Sequence, residues 1–315
     1  SSPIRTRRNV VEDDPAGGET PLMRRGILFI LASQIMWGVS PAFWRVVAAI
    51  PAVDVLAHRA LWTFVVVSVV HLVRRSWLRV RDAARSLRIL GLEALAGVLI
   101  GSNWLVWVWA VNNGRVLEGS LGYFITPLVS ILLGVLVLGE HLRRGQWLAV
   151  ALGVASVVWL TVDMGRLPWV SLYLAATFGG YGLIKKKVDM PPLDMLAIEM
   201  SVMLPITLGF LAFRTAGGHE VLVSATPVEA LVLVASGAFT AIPLLFFAGG
   251  VRRVPLAVIG VMQYLSPSIN FLLGVLVFGE TFGTGRLVGF VLVWTGLAIF
   301  TVDGVRSSRP PLRRA

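Results

Sequence analysis

The sequence contains no cysteine, and only 14% of its 315 residues are charged. Without cysteine the chain can form neither disulfides nor thiolate metal sites. A water-soluble protein of this length needs far more charged surface, because its exterior faces water. The two scarcities exclude a disulfide scaffold and argue against a soluble globular protein.

Motifs of nucleotide binding and hydrolytic chemistry are also missing. The sequence has no Gly-x-x-x-x-Gly-Lys phosphate loop, no His-Glu-x-x-His zinc pattern and no Gly-x-Ser-x-Gly nucleophile turn. Its four histidines stand singly. We therefore expect neither an ATP-driven pump nor an enzyme, and we expect no metal and no other cofactor.

Apolar residues dominate instead, at 56% of the chain. They fall into runs that are each near the roughly 20 residues needed to cross about 30 Å of hydrocarbon. Mostly short polar segments separate these runs, so neighbouring helices are expected to be antiparallel. The sequence predicts an all-α polytopic membrane protein with ten transmembrane helices, at about 26–49, 53–73, 89–111, 116–138, 146–162, 167–184, 192–213, 228–250, 255–278 and 286–303.

Basic residues lie mainly on one side of these predicted spans. If the amino terminus is cytoplasmic, the inside segments hold 22 Lys and Arg and the outside segments hold four. This asymmetry is the positive-inside signature and places both termini on the cytoplasmic side of the membrane. Residues 1–25 are predicted to be a disordered tail without a signal peptide, and 304–315 a basic tail. The net charge of +11 then reflects topology and contact with membrane lipids, and no nucleic acid partner is expected.

A repeat links the two halves of the chain. Positions 121–140 and 261–280 share nine identical residues, among them a proline and the closing Gly-Glu. Because each half contains an odd number of spans, the second copy is predicted to be inverted relative to the first. We predict two inverted five-helix repeats, 26–162 and 167–303. Such repeats supply the two gates of many secondary transporters, so this architecture favours alternating access.

Pro127 and Pro267 occupy matching positions of the repeat. A proline inside a helix frees the carbonyl four residues earlier, here that of Tyr123 or Gln263. Within a membrane a freed carbonyl needs a side chain, water or a substrate as its partner. Two interpretations stay open: structural kinks satisfied by neighbouring Ser or Thr, or hinges that line a central cavity.

Polar groups in the second and third spans are candidates for substrate binding. The Asn103 amide must be paired at its depth in the third span, whereas Trp104 fits a cavity wall or a lipid-facing position equally well. His58 and Arg59 lie inside the second span, where an ionisable side chain is costly and is by default a functional hypothesis. Alternatively, Asp54 pairs with His58 or Arg59 as a structural clasp.

Two carboxylates are candidates for coupling transport to an ion gradient. Glu118 opens the fourth span, where the helix dipole favours a negative charge, and Glu199 lies inside the seventh. Glu118 is also a candidate for contact with the substrate. Glu140 and Glu280 close matching helices at opposite membrane faces, and we expect them to tie loops together.

Several motifs resemble the RarD permease family, the EamA-type branch of the drug/metabolite transporter superfamily. They are Asn103-Trp104-Leu105, Trp109 to Asn113, Leu117-Glu118, Ser120 to Ile125, Pro127-Leu128, Gly139-Glu140, Arg143-Arg144, Gln146 to Val150, Trp37-Gly38, Pro41, His58-Arg59, Tyr264 and Pro267. The resemblance implies two inverted repeats around a central cavity in the bacterial inner membrane, and a permease of small organic solutes. It implies no single substrate, because the superfamily carries amino acids, sugars, nucleotide derivatives and drugs on one scaffold.

The sequence thus favours a secondary transporter, an exporter of small organic metabolites or drugs, with protons as a candidate coupling ion. The substrate is expected to bind between the repeats, with Arg59 or Glu118 handling charge. A non-transporting partner or regulatory subunit, and a lipid flippase or embedded lipid-modifying enzyme, are the alternatives. A homodimer is left open. The residues expected to line the site are His58, Arg59, Asn103, Trp104, Tyr123, Gln263 and Tyr264.

Overall fold

The computed structural model describes residues 21–138, 142–251, 253–254 and 262–307, and within them the secondary structure is helical without any strand. A π-helical turn, Leu273–Val277, directly follows the helix that ends at Leu272. The helices of the described ranges are α1 (Pro21–Gly38), α2 (Ser40–Arg45), α3 (Ala52–Val73), α4 (Trp77–Ala84), α5 (Leu87–Asn112), α6 (Val116–Leu138), α7 (Arg144–Met164), α8 (Trp169–Lys187), α9 (Pro192–Ala216), α10 (Val221–Ser224), α11 (Pro227–Val251), α12 (Leu265–Leu272) and α13 (Thr284–Ser307).

Among the described residues, eight segments are long and apolar enough to cross a membrane. They correspond to the predicted spans except the sixth and the ninth. The sixth is α8, a 19-residue helix that ends in three lysines, and the ninth is described only from Met262 onward. Large apolar side chains such as Val73, Val162 and Leu276 are mostly exposed, which suits an exterior facing lipid. The chain is a multi-pass membrane protein.

The described helix boundaries differ most from the predictions in the first and tenth spans. Helix α1 begins at Pro21, within the predicted tail, and the first span is broken at Val39. The break coincides with Pro41 in the first turn of α2, where the missing N–H costs no helical hydrogen bond. Helix α13 continues to Ser307, four residues into the other predicted tail. The remainder of both predicted tails, and Glu140, lie outside the described residues.

Helix α4 is an unpredicted element of the Arg-rich loop between the second and third spans. Its Val80 is buried, and Trp77 packs against the same apolar cluster as α3 and α9, whereas Arg79 and Arg81 are exposed. Because apolar residues three positions apart share one face of a helix, this short segment is amphipathic.

The helices of the two halves pack against each other extensively. Helix α3 contacts α11 and α9, and α5 contacts α8 and α9. Helix α1 contacts α11 and α12, α6 contacts α8 and α12, and α7 contacts α13. Most inter-helix contact therefore joins residues before 165 to residues after 167, and the interior lies between the halves.

Candidate functional site

Asn103 lies at the centre of a hydrogen-bonded cluster between the halves. Its side chain is fully buried on α5, and its amide nitrogen donates to the Leu174 carbonyl at 3.1 Å and to Thr177 Oγ1 at 2.9 Å, both on α8. Its amide oxygen accepts a hydrogen bond from the Tyr123 hydroxyl of α6 at 3.0 Å. The structure thus brings two of the predicted binding residues, Asn103 and Tyr123, into direct contact.

Arg59 forms a second polar centre, on α3. Its Nε donates to Thr240 Oγ1 of α11 at 3.0 Å. The guanidinium carbon lies 3.9 Å from the centre of the Trp104 ring and 4.8 Å from that of Trp44. Such cation–π contacts favour a positive charge over the ring face. Trp104 thus contacts the buried Arg59, and its role as a cavity wall stays a prediction.

Asp54 is not the partner of His58 or Arg59. It forms two parallel hydrogen bonds with Arg214 of α9, at 3.0 Å from Nε and 2.8 Å from Nη2. The clasp therefore joins α3 to α9, in the two-bond geometry that an arginine and a carboxylate favour. His58 is buried, and its Nδ1 has no hydrogen-bond partner within the described ranges.

None of the hydrogen bonds or ring contacts of the described residues joins Gln263 or Tyr264 to Asn103. Tyr264 stacks on Phe124, with ring centres 6.4 Å apart, in an apolar cluster formed by α6, α7, α8 and α13, and Gln263 is exposed. The Pro267 carbonyl accepts a hydrogen bond from Ser120 Oγ at 2.7 Å. Pro127 lies inside α6. The hinge role of both prolines stays a prediction.

Glu118 is held by cations near the start of α6. It forms an ion pair with Arg166 of the α7–α8 connection, and Arg115 Nη1 lies 4.0 Å from its other oxygen. Its backbone carbonyl also accepts a hydrogen bond from Ser171 Oγ at 2.6 Å. These contacts suffice for a structural tie, and a coupling role for Glu118 stays a prediction.

Glu199 belongs to a buried charge cluster that spans three helices. The Lys185 ammonium of α8 contacts the carboxylates of both Glu199 on α9 and Glu93 on α5, and both carboxylates are fully buried. The same ammonium lies 5.1 Å from the centre of the Tyr181 ring. Sequence reasoning missed Glu93 and Lys185. The presence of a carboxylate inside the third predicted span was the signal that could have identified Glu93.

Both halves of the sequence match one known protein family. The model described as "EamA-like transporter family" matches the chain twice, over residues 24–162 and 167–302. The chain belongs to the EamA-like transporter family. Within this family it is 46% identical to "Protein RarD" of Streptomyces exfoliatus over 91% of each chain. It is 41% identical to "Uncharacterized transporter YojE" of Bacillus subtilis, over 91% of this chain and 96% of that one.

A more distant relative also carries the RarD name. "Chloramphenicol-sensitive protein RarD" of Pseudomonas aeruginosa is 28% identical over 92% of this chain and 98% of its own. One protein crystal structure also superimposes with a TM-score of 0.60 at 18% identity, covering 92% of this chain and 100% of that one. At that identity the likeness supports the fold alone. With RarD and transporter relatives along nearly its whole length, the chain is a membrane transporter of the drug/metabolite superfamily.

Proposed function

We propose that this EamA-family chain is a secondary transporter of the bacterial inner membrane that exports a small organic metabolite by alternating access. The two moving halves are residues 26–162 and 167–303, arranged as inverted five-helix repeats with ten membrane spans and both termini cytoplasmic. The Asn103 cluster carries this proposal, because it is a polar junction between helices of different halves and has the fully buried Asn103 at its centre.

The packing pattern supports the repeat arrangement. If the halves are related by a pseudo-two-fold axis, each helix of the first half has a counterpart in the second. The counterparts are α1 and α8, α3 and α9, α5 and α11, α6 and α12, and α7 and α13. A contact between two helices then implies a contact between their counterparts. The contact of α3 with α11 implies one of α9 with α5, and that of α6 with α8 implies one of α12 with α1. Both members of each pair are observed, as are the self-matching pairs of α3 with α9 and α7 with α13. A pseudo-two-fold relation between the halves produces this pattern, and alternating access uses such a relation.

The polar groups at the junction support substrate binding there. A buried polar side chain in a membrane is expensive unless it is paired, and such groups mark solute pathways. Asn103, Tyr123, Trp104 and Arg59 are the binding residues of this proposal, and His58 is adjacent to Arg59 on α3. Gln263 and Tyr264 join this site only if α12 moves during the transport cycle.

Glu199 is the coupling residue of the proposal, together with Glu93 and Lys185. Two carboxylates share one ammonium, so the fully ionised cluster carries one net negative charge. Burying an uncompensated charge is costly, and one bound proton removes it. His71 of α3 and Arg79 of α4 do not belong to this cluster, because both contact Asp194 of α9. Glu118 is the second coupling candidate.

Transport by purified protein in liposomes tests the function. The liposomes are loaded with a broad metabolite mixture under an imposed pH gradient, and mass spectrometry follows what leaves them, with protein-free liposomes as the reference. We expect selective loss of one chemical class and a marked decrease in that loss for Asn103→Ala and Tyr123→Phe. Asn113→Ala is the matched control, because Asn113 is exposed at the outer end of α5.

The alternatives give different results in the same assay. Activity that requires a second protein would indicate a regulatory subunit, and movement of lipid alone would indicate a flippase. Normal transport by both Asn103→Ala and Glu118→Gln would show that the site assignment is wrong.

A further inference from the structure

Arg59 is a buried cation without a carboxylate partner in the described part of the chain. The residue is 8% exposed. Its nearest carboxylate along α3, Asp54, is occupied by Arg214, and the described ion pairs of the other acidic residues likewise involve cations other than Arg59. The positive charge at this position is therefore not neutralised by an acidic side chain within those ranges.

The contacts that Arg59 does make leave hydrogen-bonding capacity free. Nε donates to Thr240, and the guanidinium plane lies against Trp104 and Trp44. Its Nη1 is buried and has no hydrogen-bond partner within the described residues. An arginine carries five N–H donors and is always protonated in proteins, so both charge and donors remain available.

Physical chemistry favours an anionic occupant for such a position. Ionisable groups inside a membrane protein pair with one another or mark the path of a solute. A guanidinium binds carboxylate and phosphate oxygens through two parallel hydrogen bonds, with better directional match than an ammonium offers. A bound oxyanion would therefore supply the negative charge and the hydrogen-bond acceptors that the described residues do not supply to Arg59.

The surroundings of Arg59 are aromatic. Trp44 and Trp104 contact the guanidinium, and beyond Trp44 the rings of Phe43 and Phe239 stack with centres 4.1 Å apart. These rings come from both halves of the chain. A ligand that places its anionic group on Arg59 would have its remaining surface against apolar rings, which suits an apolar or aromatic body.

We propose that the transported substrate is a small organic anion with an apolar body, whose carboxylate or phosphate binds the Arg59 guanidinium. This inference rests on the proposed transport function and gives its substrate a chemical class. It differs from a purely structural role, in which Arg59 serves only to join α3 to α11 through Thr240. A structural role predicts no selectivity for charge among transported compounds.

A class-balanced efflux experiment tests the inference. Liposomes containing the full chain are loaded with equal numbers of carboxylates, phosphate monoesters, amines and uncharged amides, each class with aromatic and aliphatic members. Mass spectrometry measures the loss of every compound. We expect selective loss of carboxylates or of phosphate monoesters, and which of the two is lost identifies the anionic group.

Variants connect that selectivity to Arg59. We expect Arg59→Gln to decrease anion efflux by at least about tenfold, because it removes the charge and both charge-assisted hydrogen bonds, and Arg59→Lys to retain part of the efflux. Arg45→Gln is the matched control, because Arg45 is exposed and donates to the Val111 carbonyl at 2.9 Å. Size-exclusion chromatography establishes that each variant is folded.

The possible outcomes separate the two proposals. Selective loss of amines or uncharged amides would overturn the anion inference and leave the transport function standing. Anion efflux that is unchanged in a folded Arg59→Gln variant would also overturn the inference. If folded wild-type protein moves no class selectively, the transport function itself is wrong, and the anion inference with it.

Discussion

The carboxylate of Glu280 accepts a hydrogen bond from the backbone N–H of Val116 at 2.6 Å. Its second oxygen accepts one from the N–H of Leu117 at 3.0 Å. The first N–H groups of a helix have no partner within the helix and carry partial positive charge, so a carboxylate there is doubly favourable. The residue that closes the predicted ninth span thus fixes the start of α6 in the other half of the chain.

Replacing Glu280 by alanine is expected to lower the free energy of unfolding by about 1–2 kcal/mol, the usual cost of losing a helix N-cap. Two N–H groups at the start of α6 lose their acceptor, whereas Glu280→Gln keeps one acceptor oxygen. Thermal unfolding in detergent measures the difference. Glu220→Ala, at an exposed position of the α9–α10 connection, is the control and should unfold like the wild type. An equal loss of stability in both alanine variants would contradict this role for Glu280.

The span positions were predictable because the membrane imposes a length and an apolar composition on every helix that crosses it. The eight membrane-length segments coincide with predicted spans to within a few residues, apart from the early start of α1. A structural role for Glu280 in connecting two segments was also predictable, because a carboxylate at the end of a helix needs a hydrogen-bond donor or a cation as its partner. Its partners were not, since Val116 lies 164 positions away and no local pattern encodes that distance.

The partners in the charge cluster of Glu93, Lys185 and Glu199 were likewise not predictable from local sequence. Glu199 was recognised as a costly intramembrane carboxylate, but Lys185 lies just beyond the predicted end of its span and was counted as a loop residue. The interaction arises because α5, α8 and α9 pack together, and that packing depends on side-chain shape along their whole length. Likewise the partners that the sequence suggests for Asp54, His58 or Arg59, lie on its own helix, whereas the observed partner, Arg214, comes from α9.

A glycine on α11 is required by the approach of two backbones. A Cβ added at Gly237 would overlap the backbone carbonyl of Trp62 on α3, which cannot move aside as a flexible side chain could. We therefore expect Gly237→Ala to destabilise the protein by about 1–3 kcal/mol, as overpacking does. Gly209→Ala in α9 is the control, because nothing lies within 4 Å of its added Cβ. Comparison of the two unfolding midpoints decides the matter, and a similar decrease in both would show that Gly237 has no special role.

The bond between Asp54 and Arg214 should show energetic coupling. Asp54 is 1% exposed, so Asp54→Asn or Arg214→Gln alone leaves a charge without its partner. The double variant removes both charges and should be less destabilised than the sum of the single changes, by roughly 1–3 kcal/mol. A double-mutant cycle on unfolding free energies measures this coupling. Strict additivity would mean that the geometry contributes nothing to stability.

The absence of cysteine makes the topology directly testable. Single cysteines can be introduced without first removing others, at His219 between α9 and α10 and at Asp189 between α8 and α9, both of which are exposed. We expect a membrane-impermeant maleimide to label His219→Cys in intact cells and Asp189→Cys only after permeabilisation. The reverse pattern would invert the proposed orientation, and labelling of both in intact cells would contradict the number of spans between them.

Proton coupling should depend on the buried cluster around Lys185. With Glu199→Gln the cluster keeps one carboxylate and one ammonium and is neutral without a bound proton. Proton binding would then leave an uncompensated positive charge and is disfavoured. We expect this variant, and Glu93→Gln, to lose accumulation of substrate driven by a pH gradient while retaining exchange of labelled for unlabelled substrate. Exchange needs the binding site and the conformational change but no net proton movement.

The comparison of accumulation with exchange separates coupling from folding. A variant that is merely damaged loses both activities together, whereas a coupling variant loses only the first. Asp189→Asn is the control, because this exposed loop carboxylate should affect neither. If Glu199→Gln still accumulates substrate along a proton gradient and Glu118→Gln does not, coupling resides at the ion pair of Glu118 with Arg166. In that case the charges of Glu93, Lys185 and Glu199 serve to hold α5, α8 and α9 together.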